Sequence, residues 1–127
     1  MKKIVSTDSA PAALGPYSQA VDTGDLVWVS GQVPLDPVSG RIEAPDIVTQ
    51  TRQSLENVKA ILEAAGLGLT DVVKATVFLQ SLSDFKAMNA VYAEYFTEDP
   101  PARATVEVAA LPLGAMVEIE AVARRRS

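Results

Sequence analysis

Between Pro101 and Val122 polar and apolar residues alternate. Arg103, Thr105 and Glu107 fall on every second position of one stretch, Glu118 and Glu120 on every second position of another, and the positions between them are apolar. Successive side chains of a strand point to opposite faces, so the pattern predicts two terminal strands, each with one polar and one apolar face. The short connection Leu111-Pro112-Leu113-Gly114 predicts that they pair antiparallel. That pairing would bring a guanidinium and several carboxylates onto one side of a sheet, as a salt-bridge ladder or as a binding site.

Upstream the period changes. From Ile47 to Ala65, Val48, Thr51, Leu55, Val58, Leu62 and Ala65 recur at three- and four-residue spacing, which predicts a helix with one buried stripe. Asp46 is positioned to cap it, and Gly66 to end it in the left-handed conformation that other residues avoid. The β-branched run from Val72 to Leu79 predicts a strand. Ser83 is the expected N-cap of a second helix from Asp84 to Phe96, with Phe85, Met88, Tyr92 and Tyr95 on one side, stopped by Asp99-Pro100-Pro101. Nearer the start, Lys3 to Ser6 is a short strand and Ala10 to Pro16 a loop. Ser18 to Asp22 and Leu26 to Val33 form a hairpin about Thr23-Gly24-Asp25. The order βββαβαββ predicts an α+β fold in which two helices cover one face of a mixed sheet. With 127 residues a single domain over positions 1–127 is expected. The uncovered face, carrying Arg103, Thr105, Glu107, Glu118 and Glu120 beside Met116 and Val122, predicts contact between copies of the chain.

Composition narrows the chemistry. The chain contains no Cys and no His, which removes the usual general base, thiol nucleophile and transition-metal ligands. No metal site is expected. An enzyme built from this set works with Arg, Glu, Tyr, Ser, Thr, backbone amides and water, a set suited to a substrate already electrophilic and needing position more than activation. The net charge of −5 argues against a nucleic-acid partner. No run approaches the roughly 20 apolar residues that span a bilayer. Ile4-Val5-Ser6-Thr7-Asp8 lacks the apolar core of a secretory signal. A cytoplasmic protein without a membrane partner is expected, and Arg124-Arg125-Arg126 reads as a solvated tail.

Taken singly, each candidate site residue has a plainer reading. Arg103 is either a bidentate carboxylate clamp or a cross-strand ion pair with Glu118 or Glu120, and the two glutamates are either water-positioning groups or solvated strand residues. Tyr17, after Gly15-Pro16, walls a pocket or anchors a loop. Ser30-Gly31 interrupts the apolar run Leu26-Val27-Trp28-Val29 and marks a bulge or the close approach of a ligand. Asn89 on the second helix reads as a solvent-facing polar residue.

Together, Gly15-Pro16-Tyr17-Ser18-Gln19-Ala20, Val29-Ser30-Gly31-Gln32, Gln53 to Lys59, Pro101-Ala102-Arg103 and Glu118-Ile119-Glu120-Ala121 resemble the Rid/YjgF family of reactive-intermediate deaminases nearly end to end. The resemblance implies a chorismate-mutase-like fold of the bacillary type and a homotrimer with sites between subunits. It also implies hydrolysis of 2-imino acids such as 2-iminobutanoate and 2-iminopropanoate to 2-oxo acids and ammonia, without a cofactor, protecting pyridoxal-phosphate enzymes. By the same resemblance Arg103 holds the substrate carboxylate and Glu118 places the attacking water, while Tyr17, Ser30, Gly31, Asn89 and the backbone at Thr105 line the pocket. Two departures stand out. Thr105 occupies a position where many members have Cys, which excludes thiol-dependent reactivity, and the short connection from Phe96 to Pro101 lacks an aromatic before Pro-Ala-Arg, which bears on substrate size. The alternatives are a non-catalytic or regulatory binder of small carboxylates in the same cleft, and the ribonuclease or translation-inhibitor role attributed to some relatives, which the acidic balance disfavours.

Overall fold

The computed structural model describes residues 2–126. Its strands are β1 (Lys3–Val5), β2 (Ala20–Asp22), β3 (Leu26–Gln32), β4 (Val72–Leu79), β5 (Ala102–Glu107) and β6 (Val117–Arg124), with helices α1 (Ile47–Ala64) and α2 (Phe85–Tyr95). The expected order and the mixed sheet are both present. Strand order across the sheet is β1-β2-β3-β6-β4-β5, antiparallel throughout except for the parallel pair β4 and β5.

Local sequence explains the helix ends. The Asp46 carboxylate accepts from the Thr49 N–H at 2.9 Å, capping α1, and Gly66 follows with φ +79°, where a Cβ would be strained. Ser83 does not cap α2. Ser81 instead accepts from the Ser83 N–H and opens a 3₁₀ turn, Leu82–Asp84, that leads into Phe85. The inward stripe of α1 is also wider than apolar spacing suggested. Val48 is exposed, whereas Ile47, Gln50, Thr51, Ser54, Leu55, Asn57, Val58, Ile61 and Leu62 are buried. Its buried amides hold loops: Gln50 donates to the Ala44 carbonyl and accepts from the Met116 N–H, while Asn57 donates to the Leu35 carbonyl at 2.9 Å.

The helices cover the face formed by Val27 and Val29 of β3, Ala75, Val77 and Leu79 of β4, and Val117, Ile119, Ala121 and Ala123 of β6, all buried. Burial of these side chains, at roughly 25 cal/mol per Å² of apolar surface, is the main stabilising term. On the outer side of the helix pair, Arg52 meets Glu94 at 2.9 Å and the Tyr95 hydroxyl donates to Glu56 at 2.7 Å. Burial, with the Glu56 carboxylate next in size, pushes the Tyr95 hydroxyl up to about 12, so it stays a donor across the physiological range.

Two further expectations fail, both because partners distant in sequence intervene. The terminal strands do not pair with each other: β4 lies between β5 and β6. Chain leaving β4 passes through α2 before β5, and a strand that returns through a helix lies parallel to the one it left, so β5 takes the free edge beside β4. The arginine run is not a solvated tail. Arg126 forks onto the Asp71 carboxylate at 2.7 and 3.3 Å, and Arg125 bonds Asp22. Both aspartates are buried. Each carboxyl is held below the usual range, Asp71 chiefly by Arg126, and Asp22 first by the Gly24 N–H and then by Arg125. Among the described residues no helix is long and apolar enough to cross a membrane.

Candidate active site

Register fixes where the charged groups face. Arg103 lies opposite Ala75 and Thr105 opposite Val77 on the parallel neighbour; both partners are core residues, so Arg103, Thr105 and Glu107 belong to the helix side. Glu118 lies opposite Phe78 and Glu120 opposite Thr76, on the uncovered side. The guanidinium and the two carboxylates are therefore on opposite faces of the sheet, and neither the cross-strand ion pair nor a one-chain site containing both exists.

Around Arg103 one cluster forms. Its guanidinium carbon sits 4.6 Å from the ring centroid of Tyr92 and 5.6 Å from that of Phe85, an arrangement that attracts a cation to the ring faces and fixes its orientation. Among the described residues Arg103 has no carboxylate partner. Phe85, Asn89 and Tyr92 follow helical spacing on one stripe of α2, which places the exposed Asn89 between the two rings in sequence. The buried Tyr92 hydroxyl and the buried Thr105 hydroxyl have no hydrogen-bond partner. Burial raises the Tyr92 hydroxyl above its ordinary value, opposed by the nearby Arg103 charge. The unpaired guanidinium, with its planar fork of N–H donors, is the group here suited to an anionic, hydrogen-bonding ligand.

A second cluster lines a cavity of ≈ 570 Å³ whose walls include Tyr17, Ser30, Gly31, Glu118 and Glu120. Four of the expected site residues, Tyr17, Ser30, Gly31 and Glu118, meet here, while Asn89, Arg103 and Thr105 do not line it. Ser30 donates its hydroxyl to the Ser18 carbonyl, and its N–H donates to the Gln19 carbonyl at 2.9 Å. Tyr17 accepts the Leu14 N–H at 3.1 Å while its ring remains half exposed, so it anchors the loop and walls the cavity at once. The pairing of β3 with β6 shifts between Val29 and Gln32, a bulge at the site of Gly31. A Cβ on Gly31 would lie 2.9 Å from Glu118 Cδ and closer still to Oε2, so the missing side chain leaves room for the carboxylate. Burial, and after it the neighbouring Glu120, raises Glu118 above the ordinary carboxylate value.

Some functional positions carried weak signals. Phe85 and Tyr92 read as a core stripe, and their second role as a bed for Arg103 needs the register of β5. Leu113 and Leu14 line the cavity, and Leu113 adopts φ +58°, a left-handed conformation that an ordinary apolar residue does not announce.

A guanidinium without a carboxylate partner on one face of the sheet and a glycine-nested glutamate on the other are features of a ligand-handling α+β domain. The chain belongs to the Rid/YjgF family: the family model described as Endoribonuclease L-PSP matches residues 7–125. It is 55% identical over 129 residues to the 2-iminobutanoate/2-iminopropanoate deaminase of Salmonella typhimurium, covering 99% of this chain and 100% of that protein. Among solved structures it resembles a putative endoribonuclease of Thermotoga maritima, with TM-score 0.97, 50% identity and full coverage of both chains (100% each). It also resembles TdcF of E. coli with bound serine, with TM-score 0.94, 50% identity and coverage of 98% of this chain and 99% of that one.

Proposed function

We propose that the protein is a 2-iminobutanoate/2-iminopropanoate deaminase, hydrolysing 2-imino acids to 2-oxo acids and ammonia in clefts between the subunits of a cytoplasmic homotrimer. The observation that carries this reading is the division of the charged groups between two faces of one sheet. Arg103 with its orphaned hydroxyl neighbours faces one way and Glu118 in its glycine nest the other. A second copy docked on the uncovered face would complete the site by bringing its Arg103, Thr105 and Asn89 to the cavity that holds Tyr17, Ser30, Gly31 and Glu118. The deaminase name carried by the Salmonella relative, and the amino acid bound to TdcF, support the chemistry.

In this mechanism Arg103 clamps the substrate carboxylate through two parallel N–H···O bonds. Glu118, as carboxylate, accepts a proton from a water that attacks the protonated C=N carbon. A C–O bond forms, the C=N π bond becomes a nitrogen lone pair, and the product is a carbinolamine. The proton passes from Glu118 to the amino nitrogen, the C–N bond breaks with its electron pair on nitrogen, and ammonia leaves as the hydroxyl gives its proton back to the Glu118 carboxylate, its O–H pair forming the C=O π bond; Glu118 then releases that proton to solvent. No oxidant or reductant is involved, and orientation with proton transfer is all the chain must supply. Removal of the imine before it meets a pyridoxal-phosphate enzyme would be the benefit. The endoribonuclease description attached to the family model finds no support in a chain of net charge −5.

The test generates 2-iminobutanoate in place with a threonine dehydratase and traps it with semicarbazide. The protein is expected to lower the trapped fraction in proportion to its concentration. A trapped fraction unaffected by the protein, together with saturable binding of 2-oxobutanoate, would establish a binder in place of an enzyme.

A further inference from the structure

Beyond the reacting groups, the cavity is chemically lopsided, and one residue at its rim is held in a conformation it would not choose. Near Gly31 the lining is polar. Of the amides at the remaining wall, Gln19 is committed inside the chain, donating to the Thr7, Ala10 and Pro11 carbonyls and accepting from the Thr7 N–H, while Gln32 makes a single bond, to the Ser30 carbonyl. The rest of that wall is mainly apolar, chiefly Leu14, Val33, Leu35 and Leu113. Leu14 and Leu113 are 66% and 63% exposed, large apolar surfaces presented at the mouth of a cavity. Leu113 stands at φ 58°, ψ 23°, where only Gly and, less often, Asn or Asp rest comfortably. Gly114 follows at φ +70°, so two consecutive left-handed residues turn the chain and project Leu113. A strained, exposed leucine kept at a cavity rim is an outlier from which function is properly inferred.

We propose that Leu113, with Leu14, forms an apolar clamp that selects substrates by their side chain, favouring 2-imino acids with branched or extended apolar substituents over 2-iminopropanoate. This inference rests on the reading of the cavity as the site of imine hydrolysis and adds a substrate class to it. The substrate carboxylate and C=N group occupy the polar end by Gly31 and Glu118, and the side chain extends toward the leucines. One or two methylenes in such a pocket change discrimination by about 10–200-fold.

The experiment compares kcat/KM for the imines that an amino-acid oxidase releases from leucine and from alanine, in wild type, Leu113→Asn and Leu14→Ser. Asn tolerates the left-handed backbone, so Leu113→Asn is expected to melt at or above the wild-type temperature. Its leucine-to-alanine ratio is expected to fall at least about 10-fold, with the larger loss on the leucine-derived imine. An unchanged ratio, or equal losses on both imines, in a variant that melts normally would overturn the proposal. If wild type turns over neither imine, the deaminase reading fails, and calorimetric binding decides the clamp separately. Preference for 4-methyl-2-oxopentanoate over pyruvate, lost in Leu113→Asn, would uphold it, and equal affinities would end it.

Discussion

Replacing Glu118 with Gln is expected to lower kcat for 2-iminobutanoate by roughly 10²–10⁴-fold, the range in which a positioned proton acceptor contributes, with a smaller change in KM. The amide keeps the shape and cannot take a proton from water. Because burial, assisted by Glu120, raises this carboxyl, the wild-type rate is expected to fall as pH drops through a value above the ordinary glutamate range. The stability effect has the opposite sense. A carboxyl raised on folding holds its proton more tightly in the folded state, so its contribution to stability diminishes as pH rises from the unfolded to the folded value. Glu118→Gln should therefore melt higher than wild type at neutral pH and lose that advantage in acid. Gly31→Ala is expected to reproduce much of the loss of rate while leaving the fold intact. The new methyl would meet the carboxylate end of a side chain that can swing away, displacing the group from its place without disturbing the core. A Gly31→Ala protein with wild-type kcat would separate Glu118 from the chemistry.

Arg103→Ala carries the second large effect. Truncating one partner of a desolvated charge pair costs about 2–5 kcal/mol, so kcat/KM is expected to fall roughly 30- to 5,000-fold. Much of that loss should appear in KM, since the carboxylate is held in ground and transition states alike. Arg103→Lys should recover only part of it, because an ammonium keeps the charge but not the planar fork. Assembly should survive both changes: Arg103 rests on Tyr92 and Phe85 of its own chain. Full activity in Arg103→Ala would remove the carboxylate clamp.

Where one segment decides its own conformation, the fold was mostly legible from sequence, the start of α2 excepted, where Ser81 and not Ser83 opens the turn. The Asp46 cap, the Gly66 stop and the β-branched run of β4 each act within a few residues, and each was found where its chemistry put it. The larger features that escaped depend on partners far along the chain. Arg126 reads as tail until Asp71, 55 residues earlier, is folded against it. The strands β5 and β6 read as a hairpin because they are consecutive and joined through Pro and Gly, yet the helix before β5 delivers it to the far side of β4. That single error of neighbourhood reversed the face of Arg103 relative to Glu118. The identities of the candidate site residues were thus visible in the sequence, while their division into two clusters required strand register.

The division itself is the claim that most needs testing. Arg103→Ala and Glu118→Gln, each expected to be nearly inactive alone when assayed with substrate well below the wild-type KM, can be unfolded together in equal amounts and refolded as mixed assemblies. If each site takes its guanidinium from one chain and its carboxylate from a neighbour, about one quarter of the sites in a random closed ring pair an intact Arg103 with an intact Glu118. Activity near one quarter of wild type is therefore expected from the mixture. Activity no greater than the sum of the two separately refolded variants, in mixtures shown to exchange chains, would contradict a site shared between copies.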